Sequence, residues 1–181
     1  MSDDPPSWTL FAGERRLAAG HLAEIAAAAL TAPDDEGPVL AFDDLTGKVV
    51  DLDLRGTADE IAARYAPAPV VRGRGRPKLG VVAREVTLLP RHWAWLADQP
   101  GGASVALRRL VDQARRQTAD ATERKGRQEA AYRFMSSMAG DLPGYEEAIR
   151  ALFADDRAGV ETHTQRWPAD VRHHTLKLAF A

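Results

Sequence analysis

In the segment VRGRGRPKLG, residues 71–80, Arg72, Arg74 and Arg76 alternate with single glycines before Pro77 and Lys78. Guanidinium groups on so bare a backbone suit contact with closely spaced anions such as phosphates. Glycine lets the main chain approach a surface, and proline keeps it extended. A solvated basic linker has the same composition, so the rest of the chain must choose between the two.

Charge is unevenly distributed along the 181 residues. The net value is only −2, yet residues 1–69 hold five basic and thirteen acidic side chains, giving −8. Residues 70–133 hold fourteen basic and six acidic, giving +8, and residues 134–181 hold five and seven, giving −2. A polyanion responds to local field rather than to the sum, so the middle third is where one would bind. Twenty of the 24 basic residues are arginine and alanine is abundant, so the clustering, not the arginine content, carries the inference.

Other residue sets lead less far. Asp43, Asp44, Asp51 and Asp53 crowd one predicted hairpin and have the oxygen chemistry of a hard-cation site, but turn and solvent-facing strand positions account for them more simply. Thr46-Gly47-Lys48 lacks the upstream glycine and following hydroxyl of a phosphate loop and reads as a turn. His163, His173 and His174 have no acidic or thiol partner at ligand spacing and are expected on the surface. The absence of cysteine removes disulfides, thiolate nucleophiles and Cys-based zinc sites, and fits a reducing compartment. Ser104 serves better as a helix cap than as a nucleophile. The expectation is therefore no catalytic residue, no metal, no cofactor and no enzyme activity.

The elements that must position the basic segment can be read from periodicity. Residues 1–66 form a small α/β module of ββαββα or αββα order. It has a strand near Trp8–Phe11, a helix from Leu22 to Ala29 closed by Pro33, and a hairpin through the turn DDLTGK. A short helix follows with Thr57 as N-cap and Glu60 as its capping-box partner. Residues 67–80 carry Pro67, Pro69 and Pro77 among glycines and read as an extended basic connector. Residues 81–117 read as a β-branched strand (VVAREVTLLP), a helix of about three turns, a break at QPGG, and a second helix capped by Ser104. Residues 118–181 are predicted helical, broken at DLPG and opened again by Pro168. The whole is an α+β chain. No stretch is apolar and long enough to cross a membrane, and the reading is of a cytoplasmic protein.

The order strand, helix, glycine turn, helix in residues 82–116 resembles the ribbon-helix-helix family of bacterial repressors and antitoxins, through Leu89-Pro90, Trp95-Leu96, Gly102-Ala103-Ser104 and Arg108-Arg109. The resemblance implies an intertwined homodimer whose paired strands meet the major groove, with phosphate held at the start of the second helix. A unit of some thirty-five residues buries too little apolar surface to stand alone, which favours pairing. The strand departs from the family pattern: its faces offer Arg84, Val86 and Leu88, or Glu85, Thr87 and Leu89, and neither is a polar triplet. Phosphate contact is therefore expected from the second helix and the connector.

Within the connector, Arg74 to Lys78 (RGRPK) is similar to the core of the AT-hook of high-mobility-group A chromatin proteins. That resemblance implies Gly75 on the floor of an A·T-rich minor groove, Pro77 holding the chain extended, Arg74 and Arg76 along the groove, and Arg72, Lys78 and Arg84 on phosphates. Nearly the whole chain also resembles an uncharacterised bacterial family of unknown function, through EVTLLPRHWAWL, PGGASVALRRLVDQARR, SMAGDLPGYEEAIRALF and WPADVR.

The sequence thus predicts a DNA-binding homodimer, a transcriptional regulator or nucleoid-associated factor. Its expected contact residues are Arg72, Arg74, Gly75, Arg76, Pro77, Lys78, Arg84, Gly102, Ser104 and Arg108. The alternative is a protein-interaction or antitoxin-like adaptor whose acidic N-terminal module binds a basic partner and whose middle only dimerises.

Overall fold

A computed structural model of the chain describes residues 7–33, 35–66 and 82–181. It divides into two units, the first made of residues 1–68 and 123–181 and the second of residues 69–122. Among the described residues there are four strands and seven helices, so the chain is of mixed α+β class and mostly helical.

The first unit begins with β1 (Trp8–Ala12), β2 (Arg15–Gly20), α1 (Leu22–Leu30), β3 (Val39–Asp43), β4 (Val49–Val50) and α2 (Ala58–Tyr65). This is the first of the two orders read from sequence. All pairings are antiparallel and the sheet order is β2-β1-β3-β4. In the central strand β1, Thr9, Leu10, Phe11 and Ala12 are all buried. Alternation along a strand sends neighbours to opposite faces, and here Leu10 packs with Ile25 of α1 while Phe11 joins Phe42 on the other side. A bulge between Leu10 and Phe11 shifts the pairing with β2. Thr57 closes its capping box with Glu60 as expected.

Helix α1 covers only one face of this sheet. The other is covered from the far end of the sequence by α5 (Tyr145–Phe153), α6 (Arg157–His163), α7 (Ala169–Phe180) and the last turns of α4 (Gly102–Met138). Phe11 and Phe42 share one buried cluster with Phe134, Met135, Leu152 and Val171. The phenyl rings of Phe42 and Phe134 meet edge to face with centroids 4.9 Å apart. Residues 1–66 and 118–181, distinct in composition, thus contribute to one core, because a sheet with two apolar faces needs two covers.

The second unit is simpler. Residues 82–89, expected as a strand, form none: no ladder reaches them and all but Leu88 are exposed. β-branched content favours a strand only where a neighbour supplies hydrogen bonds, and among the described residues no strand lies beside this segment. Helix α3 (Pro90–Ala97) is two turns rather than three, with Pro90 at its first position, where its missing N–H costs nothing. Gly101 and Gly102 follow with φ of 84° and 75°, a left-handed pair that only glycine adopts freely. Helix α4 then runs 37 residues, straight through Gly126.

Candidate nucleic-acid interface

Of the residues expected to touch DNA, Arg72, Arg74, Gly75, Arg76, Pro77 and Lys78 lie outside the described residues. The others belong to the second unit. Arg84 is exposed in the extended segment before α3. Gly102 opens α4, and its amide donates to the Gln99 carbonyl at 2.9 Å. Ser104 is not the N-cap; it lies inside the first turn of α4, where its carbonyl accepts from Arg108 Nε at 3.2 Å. The helix starts three residues earlier than a Ser104 cap would place it, directly after Gly101 and with Gly102 as its first residue, both at positive φ.

The described part of the second unit carries six arginines: Arg84, Arg91, Arg108, Arg109, Arg115 and Arg116, all exposed. Every ion pair among the described residues lies in the first unit. Asp112 is four residues from both Arg108 and Arg116 on one helix, a spacing at which pairs form readily, yet it is within ion-pair distance of neither. These arginines are exposed and, among the described residues, paired with no carboxylate; Arg108 alone is tied back, through Nε, to the Ser104 carbonyl. Alongside them Val82, Val86, Leu89, Trp93, Trp95, Val105, Leu110 and Val111 are exposed, while Leu96 and Ala106 are the buried apolar residues of the unit's described part.

A second polar constellation sits in the first unit, and the sequence did not reveal it. Asp44, in the turn after β3, has a side chain only 10% exposed and accepts from Ser7 Oγ, from Thr9 Oγ1 at 2.8 Å and from Lys177 Nζ at 2.8 Å. His174 of α7 is fully buried against the rings of Phe11 and Phe134, with Nε2 3.5 Å from Asp44 Oδ1. That distance allows attraction but not a hydrogen bond, and neither ring nitrogen has a hydrogen-bond partner among the described residues. The expectation of a surface histidine fails for His174, since the apolar side of α7 faces the sheet. Burial pushes its pKa down to about 4, against the opposing pull of Asp44, and Lys177, Arg16 and His173 lower it further. A neutral imidazole sealed from solvent is a packing group, and the cluster works as a tie between the sheet and α7.

The hairpin aspartates are likewise separately engaged. Asp43 Oδ1 accepts from the amides of Leu45 and Thr46, and Asp53 holds Arg55 and Arg64. Among the described residues no three His, Cys, Asp or Glu side chains are grouped as a metal ion requires, and no helix is long and apolar enough to cross a membrane.

Residues 7–179 match the model of a family described as an uncharacterized protein conserved in bacteria, DUF2239. The chain belongs to this family. No curated protein and no solved structure matches it. The family match runs through both units, so the DUF2239 domain includes the arginine-bearing second unit as well as the sheet and its covering helices.

Proposed function

We propose that this DUF2239 protein is a homodimeric, sequence-tolerant DNA-binding protein, acting as a transcriptional regulator or nucleoid-associated factor. In this reading residues 67–80 follow an A·T-rich minor groove in the manner of an AT-hook. The unit at 81–117 acts in the manner of a ribbon-helix-helix protein, joining two copies and holding phosphates. The observation that supports it is the contrast between the units: six exposed arginines without an ion pair in one, every ion pair of the described residues in the other. Arginines already paired to carboxylates would have to be stripped of them before meeting a phosphate; unpaired ones need only release counterions.

Fluorescence anisotropy on A·T-tract and mixed-sequence duplexes, across a salt series, tests this. The expected result is binding that weakens steeply with salt, with an A·T preference that Arg74→Ala/Arg76→Ala abolishes. No affinity for either duplex in dilute buffer overturns it.

The exposed side chains of Trp93, Trp95, Leu110 and Val111 also suit a second reading, the protein-interaction adaptor. A stoichiometric partner that copurifies with a chain indifferent to DNA would favour that reading.

A further inference from the structure

From Arg108 to Thr118 every residue of α4 is exposed. A helical stretch of that length without tertiary cover is marginal in water, and its face is not uniformly polar. Leu107, Leu110, Val111 and Ala114 stand at i, i+3, i+4 and i+7 and form one apolar stripe, of which Leu110 is 40% and Val111 55% exposed. The arginines obey the same period. Arg108-Arg109 and Arg115-Arg116 are spaced by seven residues, two turns and about 10.5 Å along the axis, and both pairs fall outside the stripe.

We infer that the apolar stripe Leu107–Leu110–Val111–Ala114 of α4 is the face through which two copies of this chain join, with the two arginine pairs displayed on the outside of the resulting helix pair. The inference rests on the dimeric DNA-binding reading and gives its contact a place, on α4 rather than on residues 82–89.

Three features select a second copy as the occupant. The stripe spans two helical turns, and a copy supplies a second stripe of the same length and spacing without further design. With Leu107, Leu110 and Ala114 in the seam, the positions beside it are Ala106, Val111, Gln113 and Thr118, so two copies approach without setting like charges against each other. An acidic or basic partner helix would be chosen by charges at those positions, and there are none. Finally, the arginine pairs, which would repel each other in the seam, are turned away from it.

The chain contains no cysteine, so single-cysteine variants report unambiguously. A two-fold axis through the seam near Leu110 sets this residue beside its own copy whether the helices run parallel or antiparallel. Leu110→Cys is therefore expected to give a disulfide-linked dimer on mild oxidation, and Arg109→Cys, one residue round the helix, is expected not to. Leu107→Asp/Leu110→Asp is expected to raise the dimer dissociation constant at least tenfold by sedimentation, with helicity by circular dichroism retained. Cross-linking through Val86→Cys but not Leu110→Cys overturns the inference in favour of strand pairing, as does a monomeric wild type. DNA anisotropy on the same samples separates the two ideas: a monomer that binds DNA removes the seam and the dimer but keeps the DNA contact, whereas a Leu110-linked dimer without DNA affinity keeps the seam and removes the DNA reading.

Discussion

His174 of α7, fully buried, and Asp44 of the turn after β3, 130 residues apart in sequence, meet with Nε2 and Oδ1 3.5 Å apart. The histidine is neutral in the fold because burial outweighs the carboxylate's attraction. Its folded-state pKa of about 4 lies below the ordinary 6.5, so the unfolded chain takes up the proton first. Stability from this group is complete above about pH 6.5 and falls as pH drops toward 4, by on the order of 3 kcal/mol. Urea unfolding at pH 7.5 and 4.5 should show a smaller acid loss for His174→Leu than for wild type. Equal losses in the two proteins would show that His174 does not titrate as described.

Gly47 packs its Cα against the main chain of α4. With φ of 66° it occupies the left-handed region, and a Cβ there would overlap the Ala130 carbonyl oxygen and lie 2.6 Å from its carbon. Arg133 fixes the same approach by donating from Nη1 to the Thr46 carbonyl at 2.9 Å. Gly47→Ala should therefore destabilise the first unit by about 2 kcal/mol or more, because strain and overlap with backbone add. A denaturation midpoint unchanged from wild type would contradict the close packing of this turn on the helix.

Gly126 has the opposite character. It lies inside α4 with helical backbone, and a Cβ would meet nothing within 4 Å. Gly126→Ala removes conformational freedom from the unfolded chain without a clash, so it should stabilise by about 0.5–1 kcal/mol and raise Tm by a few degrees. A lowered Tm would mean that α4 does not run unbroken through this position.

These positions also show what could be read in the sequence. The Thr57–Glu60 capping box, the helix break at Gly101–Gly102 and the helix over Leu22–Leu30 are settled by residues a few places apart, and local patterns carry that information. The burial of His174 and the tie from Lys177 to Asp44 depend on pairings across 130 or more residues, which no periodicity reveals. The same holds for the core shared by Phe42 and Phe134. Residues 82–89 show the converse: β-branched side chains signal a capacity to pair, and among the described residues that capacity meets no neighbouring strand. Arg108 and Arg109 stand out in the sequence, but their repeat as Arg115 and Arg116 on one helix, their exposure and their lack of ion pairs required the fold.

That repeat allows charge to be separated from shape in any DNA complex. Arg115 and Arg116 are exposed, unpaired and remote from the glycine-rich connector in sequence, so their contribution should be to phosphates alone. Each phosphate left without its arginine makes the log–log salt slope shallower by about 0.9, so Arg115→Ala/Arg116→Ala should reduce it by roughly 2. Because phosphates carry no sequence information, affinity should fall by the same factor on A·T-tract and mixed duplexes. Arg74→Ala/Arg76→Ala should instead narrow the difference between the two duplexes, since those side chains are assigned to the minor groove. Anisotropy titrations of both double variants at four or more salt concentrations check this. A weakening confined to A·T-tract DNA in the Arg115/Arg116 variant would move those residues from the phosphate backbone into the groove.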